Sequence, residues 1–426
     1  MNNWFNLTSV ANMNRSYFRS LAMRKKTKQV GILYVSMLLS IFVGICVSIV
    51  NTRLLGPEHY GDLKFLQNLF SFVVVFLTLG IFISGSRLLA KNEDQTERSR
   101  LIGNLFLCAA MVSSAFIVIL FFFSFLEGRI FHNDLGRTIR MVSPLLFVFP
   151  FQLCLESIMQ GDNRIYDLSI FRIGPSLLYL LCAILFNYFV PLSLISALSI
   201  QLATLSLLVV FMLFRLKPRY DHVKKYMAAI WEENKTYGFH VYIGVLAGVA
   251  TGQIAGISIG YFIDNTNVGF YSLAVTISMP LTMLPGVVGT TFFKDFASRD
   301  FIPKKVTVVT VLLSSGSLLV FLLVIKKVIV LLYPREFIVA VPLAYSVSIG
   351  CVLYGFGDFI NRFLSAQGLG RELRNSAFVV GISNVLGFVL LVYFFGVKGA
   401  AFTKILSGFA YFSQMYYHYK IFVRSG

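Results

Sequence analysis

Charged side chains are scarce in this chain, and acidic ones are scarcer than basic. Asp, Glu, Lys and Arg make up 13% of its 426 residues, about half the share usual in a soluble domain. A surface so poor in charge cannot be coated by water, so a soluble globular fold is excluded and lipid is the main solvent. The five cysteines (Cys46, Cys108, Cys154, Cys182 and Cys351) are odd in number and dispersed inside apolar segments. That pattern gives neither a disulfide framework nor metal-ligand spacing, and they read as small packing residues. No G-x-x-x-x-G-K-[ST] loop is present, which removes ATP-driven pumping from this chain. No cofactor motif is present either. Long loops are missing too. The longest loop on the side opposite the N-terminus runs from Glu127 to Arg140 and carries His132 and Asp134, too little to build the acid-base site of a membrane polymerase or ligase.

Long apolar runs are what the chain has. Twelve of them lie roughly at 30–50, 65–86, 101–125, 139–159, 168–190, 193–214, 238–262, 269–292, 306–325, 338–358, 376–395 and 399–420. Each is near the ~20 residues a helix needs to cross hydrocarbon. Backbone groups cannot stay unpaired in lipid, so the runs are expected to be helices in an all-α integral membrane protein.

The chain also looks built twice. Gln160-Gly161-Asp162-Asn163-Arg164 is echoed 207 residues later by Gln367-Gly368-Leu369-Gly370-Arg371. Gly61-Asp62-Leu63 and Gly269-Phe270-Tyr271, each opening an apolar run, are 208 residues apart. One shift carries the first six runs onto the last six. An even number of spans per half leaves both halves in the same orientation, with a pseudo-two-fold axis along the membrane normal. The expected domains are a cytoplasmic arm (1–29), an N-lobe (30–214), a cytoplasmic linker (215–237) and a C-lobe (238–426).

Positive charge supplies orientation. Arg15, Arg19, Arg24, Lys25, Lys26 and Lys28 precede the first run. If that end is cytoplasmic, Lys and Arg on the cytoplasmic side outnumber those opposite by about three to one, as the positive-inside rule demands. Both termini are then cytoplasmic. The net charge of +18 is an insertion signal, because the cations form no basic stripe interleaved with aromatics and so fit no nucleic-acid partner. The first run is too long for a cleaved signal peptide. Residues 1–29 read as a loose or surface-lying arm. The linker, with Lys224 and Lys225 before Tyr226, Met227, Ile230 and Trp231, suits a short interfacial helix.

Four motifs carry a family resemblance. They are R-x-L-G-P-E-x-Y-G at Arg53 to Gly61, L-G-I…R-L-L-A from Leu79 to Ala90, V-G-F-Y-S-L-A at Val268 to Ala274, and L-Y-P-R-E-F at Leu332 to Phe337. In order and spacing the chain resembles the polysaccharide flippases of the multidrug/oligosaccharidyl-lipid/polysaccharide exporter superfamily. The resemblance implies two six-helix lobes around a cavity that works by alternating access. It implies export of an isoprenoid-diphosphate-linked oligosaccharide, O-antigen-type, across a bacterial cytoplasmic (inner) membrane. Proton or sodium (H+ or Na+) coupling and partnership with polysaccharide polymerase machinery follow from the same likeness. No substrate contact is carried over by motif, and Arg53, sitting in a turn, reads as structural.

Such a substrate has a greasy tail that can stay among the membrane lipids and a diphosphate that needs positive charge near membrane depth. The candidate cations are Arg87, Arg172, Arg362 and Lys404. Glu156 and Asp358 are the candidate coupling carboxylates, and Asp358 and Arg362, four apart, can pair on one helix face. The uncharged polar groups within spans are Gln152, Asn187, Gln201, Gln253 and Asn384. The seventh run carries Gly244, Gly248, Gly252, Gly256 and Gly260 at a spacing of four, a ridge for close packing or bending. Gln253, Gly248, Gly252 and Gly256 are the cavity or hinge candidates. A drug or metabolite cation antiporter of the same superfamily is the main competing reading; it would favour acidic cavity residues. A sugar polymerase or ligase is the competitor from another class, and a channel would call for oligomeric symmetry instead of an internal repeat.

Overall fold

The computed structural model describes residues 7–425, and side chains over 35–424 apart from Val249, Ala250 and Lys294. Among the described residues all regular structure is helical. We number the spanning helices α1–α12.

One helical run, Leu7–Leu77, is broken at Gly56, whose φ of 72° and ψ of 179° are open essentially to glycine alone. Pro57 restarts the helix with its fixed φ and its missing N–H at a position where no donor is needed. Val47 and Gln67 line one small cavity, yet an unbroken helix would hold them about 30 Å apart. The chain therefore folds back at Gly56. Residues 7–55 form α1, so helix runs through much of the segment expected to be a loose or surface-lying arm. Residues 57–91 form α2, interrupted where Leu79 and Gly80 take positive φ.

The remaining spans follow in order. Helix α3 is Gln95–Phe123, capped by the Asp94 carboxylate accepting from Thr96 N–H. Helix α4 joins Gly136–Leu145 to Val148–Gly161 across a 46° bend. Helices α5 and α6 are Ile165–Phe189 and Leu194–Leu216, the second opened by a Ser193–Ser196 capping box. A connecting helix, Val223–Glu233, leads into α7 (residues 239–262), which bends by 43° around a π-helical turn at Leu246–Ala250. Helices α8 (Asn265–Thr291), α9 (Lys304–Leu332), α10 (Arg335–Ala366), α11 (Gly370–Phe395) and α12 (Val397–Ser425) complete the chain. Eight of the helical runs are long and apolar enough to cross a membrane alone, and the two bent pairs bring ten. The fold-back at Gly56 splits one run in two. Helix α12, which carries Lys398, Lys404, Lys420 and Arg424, is the twelfth. Tyr188, Phe189, Phe214 and Leu331 stand more than three-quarters exposed, as lipid-facing side chains do.

The halves, α1–α6 and α7–α12, meet through two hairpins, α1/α2 and α7/α8. A Cβ on Gly61 would collide with the Asn265 carbonyl oxygen, and one on Gly269 would lie 3.0 Å from Gly61 Cα. These two glycines are the sequence equivalents identified by the repeat. Equivalent residues touch each other only beside a two-fold axis, so the axis passes here. Around this contact Tyr60, Phe270 and Phe337 stack edge to face, with Tyr60–Phe337 centroids 5.7 Å apart. Tyr333 Oη and Ser48 Oγ are 2.9 Å apart, and Arg53 donates to the Leu332 and Leu331 carbonyls at the end of α9. A cation at a helix C-terminus is favourable there. Arg53 is thus a tie between halves.

The second sequence echo is looser. Helix α4 ends with Arg164 N–H bonded to the Met159 carbonyl, and α10 with Leu369 N–H bonded to the Leu364 carbonyl. Both are Schellman-type ends, with the left-handed residue at Asn163 in one and Gly368 in the other. Structure therefore equates Gly368 with Asn163, two residues from the Gly161 that the letters suggest. Gly161 has another reason to be small, a close approach to the Ser86 carbonyl.

The seal at Gly61 predicts a stability effect. Gly61→Ala forces the two hairpins apart and is expected to destabilise the protein by about 1–3 kcal/mol. Gly44→Ala in α1, where no atom lies within 4 Å of the added carbon, should be neutral or slightly stabilising. Thermal unfolding of both variants in detergent checks the contrast.

Candidate functional site

A cavity of about 370 Å³ lies between the halves. Helix α2 presents Lys64, Gln67, Asn68 and Ser71 to it, a helical spacing that puts four polar groups on one face. Helix α7 adds Gly252, Gln253 and Gly256, α8 adds Ser272 and Thr276, α11 adds Asn384, and α12 adds Lys404. Lys64 Nζ donates to Gln67 Oε1 at 3.0 Å and sits over the Tyr60 ring. Lys404 Nζ lies 5.5 Å from the Tyr354 ring centroid. No carboxylate lines the cavity, and among the described residues neither lysine is in a salt bridge. The chamber is therefore electropositive and offers donors without a counter-ion.

A second, smaller cavity of about 160 Å³ lies within the first half, and Gln67 borders both. Gln67 Nε2 donates to Gln201 Oε1 at 2.7 Å. Arg172 and Gln152 also line this space. Glu156 accepts from Gln152 at 3.4 Å and from Arg172 at 3.4 Å. A candidate cation and a candidate coupling acid are thus partners, each half neutralising the other. Asn384 donates to Thr251 Oγ1 at 3.2 Å, tying α11 to α7.

The other expected residues fall elsewhere. Arg87 does not line the chamber. It pairs with Glu233 of the connecting helix at 2.7 Å, stacks over Tyr237 at 4.0 Å, and shares Glu233 with Lys91. Asp358 and Arg362 do pair, at 3.3 Å, but against α8 beside Gly286 and Gly289. Asn187 accepts from Leu192 N–H in the α5–α6 turn. Among the glycines, Gly256 and Gly260 press on Asn68 and Phe65 of α2, whereas nothing lies within 4 Å of the added carbon at Gly244, Gly248 or Gly252. The bare part of the ridge coincides with the π-helical turn and the bend.

Lys64 is the residue sequence reading passed over. An apolar run starting at residue 65 leaves it just outside the span. The Gly56-Pro57 pair was the available signal, because proline at a helix start places Lys64 two turns inside α2.

The Arg87 contact yields a prediction. Arg87 is 41% exposed, so solvent screening holds its pairing and ring contact to about 1 kcal/mol. Arg87→Ala should speed hydrogen exchange over residues 234–238 by about fivefold. Exchange over residues 58–66 at the far end should not change.

Residues 27–293 match the family model described as polysaccharide biosynthesis protein. No curated protein matches the chain. The fold is shared with solved transporters of low sequence similarity. The lipid II flippase MurJ in an inward closed conformation superposes with a TM-score of 0.75 at 12% identity, covering 91% of this chain and 87% of that one. An inward-facing multidrug resistance MATE family transporter of the MOP superfamily gives 0.62 at 12% identity, covering 93% and 99%. A MOP superfamily transporter from Pyrococcus furiosus, described as having reverse polarity of its binding pocket, gives 0.54 at 11% identity, covering 92% and 95%.

Proposed function

The chain belongs to the polysaccharide biosynthesis protein family, and from that premise we propose that it is a flippase for an isoprenoid-diphosphate-linked oligosaccharide. One observation carries the reading: Lys64 and Lys404 line a polar chamber between the halves with no carboxylate beside them. Intramembrane cations are costly unless something needs them, and a diphosphate needs two. The tail has its own surface. A groove of about 630 Å³ runs between α1, α8 and α9, lined by apolar side chains such as Ile45, Ile277, Leu313 and Val324. The sugar diphosphate enters the chamber while the tail stays in this groove.

By the charge bias, the Gly61 end faces outward and the Arg87 end faces the cytoplasm of a bacterial cell. The two lobes then rock about the Gly61–Gly269 contact and the bend in α7, where Gly248 and Gly252 have room to move. Glu156 is the coupling acid in this scheme, as the carboxylate bonded to Gln152 beside the small cavity that Gln201 and Gln67 also line. The product is delivered to polymerase machinery on the outer face. A cation antiporter fits less well, since its substrate would meet two lysines and no acid.

The test is flipping of a labelled lipid-linked oligosaccharide in proteoliposomes. Each of Lys64→Met and Lys404→Met should slow flipping about 10-fold or more, the worth of one charge-assisted hydrogen bond. Lys64→Arg should retain more activity than Lys64→Met. A wild-type rate in the double methionine variant would overturn the proposal. Separately, Glu156→Gln should abolish the response of the rate to an imposed proton or sodium gradient, and an unchanged response would remove Glu156 from coupling.

A further inference from the structure

Glu127 opens the short helix Glu127–Phe131 in the loop between α3 and α4. It is wholly buried, and neither carboxylate oxygen makes a well-formed hydrogen bond; the Asn133 side chain and the Leu135 and Gly136 N–H groups are only loose donors to it. This helix lies against the junction between the halves. Phe131 packs its ring on Phe65 of α2 at 4.9 Å and on Tyr261 of α7 at 6.0 Å. Asp62, whose charge acts on Glu127, accepts a 2.8 Å hydrogen bond from Asn265 of the opposite half. Tyr60 Oη and Asn265 Oδ1, around the same junction, are also buried without partners.

An ionised carboxylate sealed away from water with only loose donors is disfavoured, and it takes a proton more readily than a solvated one. Separation of the halves at Gly61 would admit water to Glu127 and let it ionise. We propose that Glu127 is a proton-binding site built into the seal, and that the seal closes with proton uptake and opens with proton release. The proton goes to, and comes from, water at the Gly61 face.

The surroundings support one titrating group. Burial pushes the Glu127 pKa from 4.5 up to about 7, and Asp62 adds to the rise. The Asn133 side chain and the Leu135 and Gly136 N–H groups pull it back in part. On α2, Asp62 has His59 at 3.6 Å and Glu58 nearby. The α7 side brings Tyr261, and the turn that follows brings Asp264, which caps α8. Glu127's own loop carries Arg129, His132, Asp134 and Arg137. Arg140 is turned to Ser124 and the Phe125 ring. Because the sealed-state pKa is raised, the proton's contribution to sealing is complete below pH 4.5 and is lost as pH rises through about 7. The closed-to-open ratio should fall on the order of 100-fold across that window.

Hydrogen exchange of the full chain in lipid nanodiscs, corrected for intrinsic rates, tests this without substrate. A failed flipping assay and a failed exchange assay are therefore separate results. Protection over residues 58–66 and 263–271 should drop on the order of 100-fold between pH 5 and pH 8 in the wild type. Glu127→Gln, a permanently neutral side chain, should stay protected throughout. A flat wild-type profile, or a variant that tracks the wild type, overturns the proposal. Should Glu127→Gln fail to fold, Asp62→Asn replaces it. Removal of the facing charge should then move the transition to lower pH, and an unmoved midpoint overturns the proposal equally.

Discussion

Gly61 and Gly269 are sequence equivalents, and they touch. Two helical hairpins can approach to backbone distance only where neither carries a side chain, and that contact fixes where the halves join. Much of the junction's arrangement depends on it. Gly56 must break the helix five residues earlier so that α2 returns alongside α7. Phe337 must fill the space beside Tyr60 and Phe270. Arg53 must reach across to close the end of α9. Three of the motifs that give the chain its family likeness, around Gly56-Pro57, Gly269-Phe270 and Tyr333-Pro334, are thus parts of one joint between lobes.

Charge is distributed by the same economy. Near the Arg87 end several carboxylates are bound by cations: Asp162 by Arg98 and Arg164, Asp167 by Arg215, and Asp221 by Arg100. Isolated surface pairs are worth little each. As a network over α3, the α4–α5 turn and α6, they hold the ends of several helices in one arrangement. None of these acids lines the chamber, where Lys64 and Lys404 stand without a carboxylate. A scarcity visible in the composition becomes a property of the site.

The parts of this structure readable from sequence are those set by local chemistry. Spans follow from the length of apolar runs, the hairpin at Gly56 from φ freedom beside a proline, and the Asp358–Arg362 pair from helical spacing. What escaped reading was set by distant partners. Nothing near Arg87 in sequence announces Glu233, because 146 residues separate the two. Arg172 and Glu156 are close in sequence but on different helices, and only packing of α4 on α5 makes them a pair. Lys64 was misplaced because hydropathy reports where apolar residues begin, whereas the helix begins earlier, at Pro57. The Gln-Gly echo misled by two residues because a helix end needs a left-handed residue, and Asn163 serves in one copy where Gly368 serves in the other.

The two-fold likeness does not extend to stiffness. Along α7, Gly256 and Gly260 are pinned against α2, while at Gly244, Gly248 and Gly252 an added Cβ would meet nothing within 4 Å. Each glycine in a helix interior costs roughly 1 kcal/mol relative to alanine, and a π-helical turn adds a local break in the hydrogen-bond ladder. The equivalent stretch of α1, residues 37–53, holds one glycine, Gly44. Bending strain is therefore expected to collect in α7 just below the Gly61–Gly269 contact. In our reading the joint at that contact acts as a pivot and the bare glycines as the compliant segment beside it. The chamber lies between them, bordered by Gly252 on one wall and Lys64 on the other, so a change in the α7 bend alters the space in front of the lysines directly.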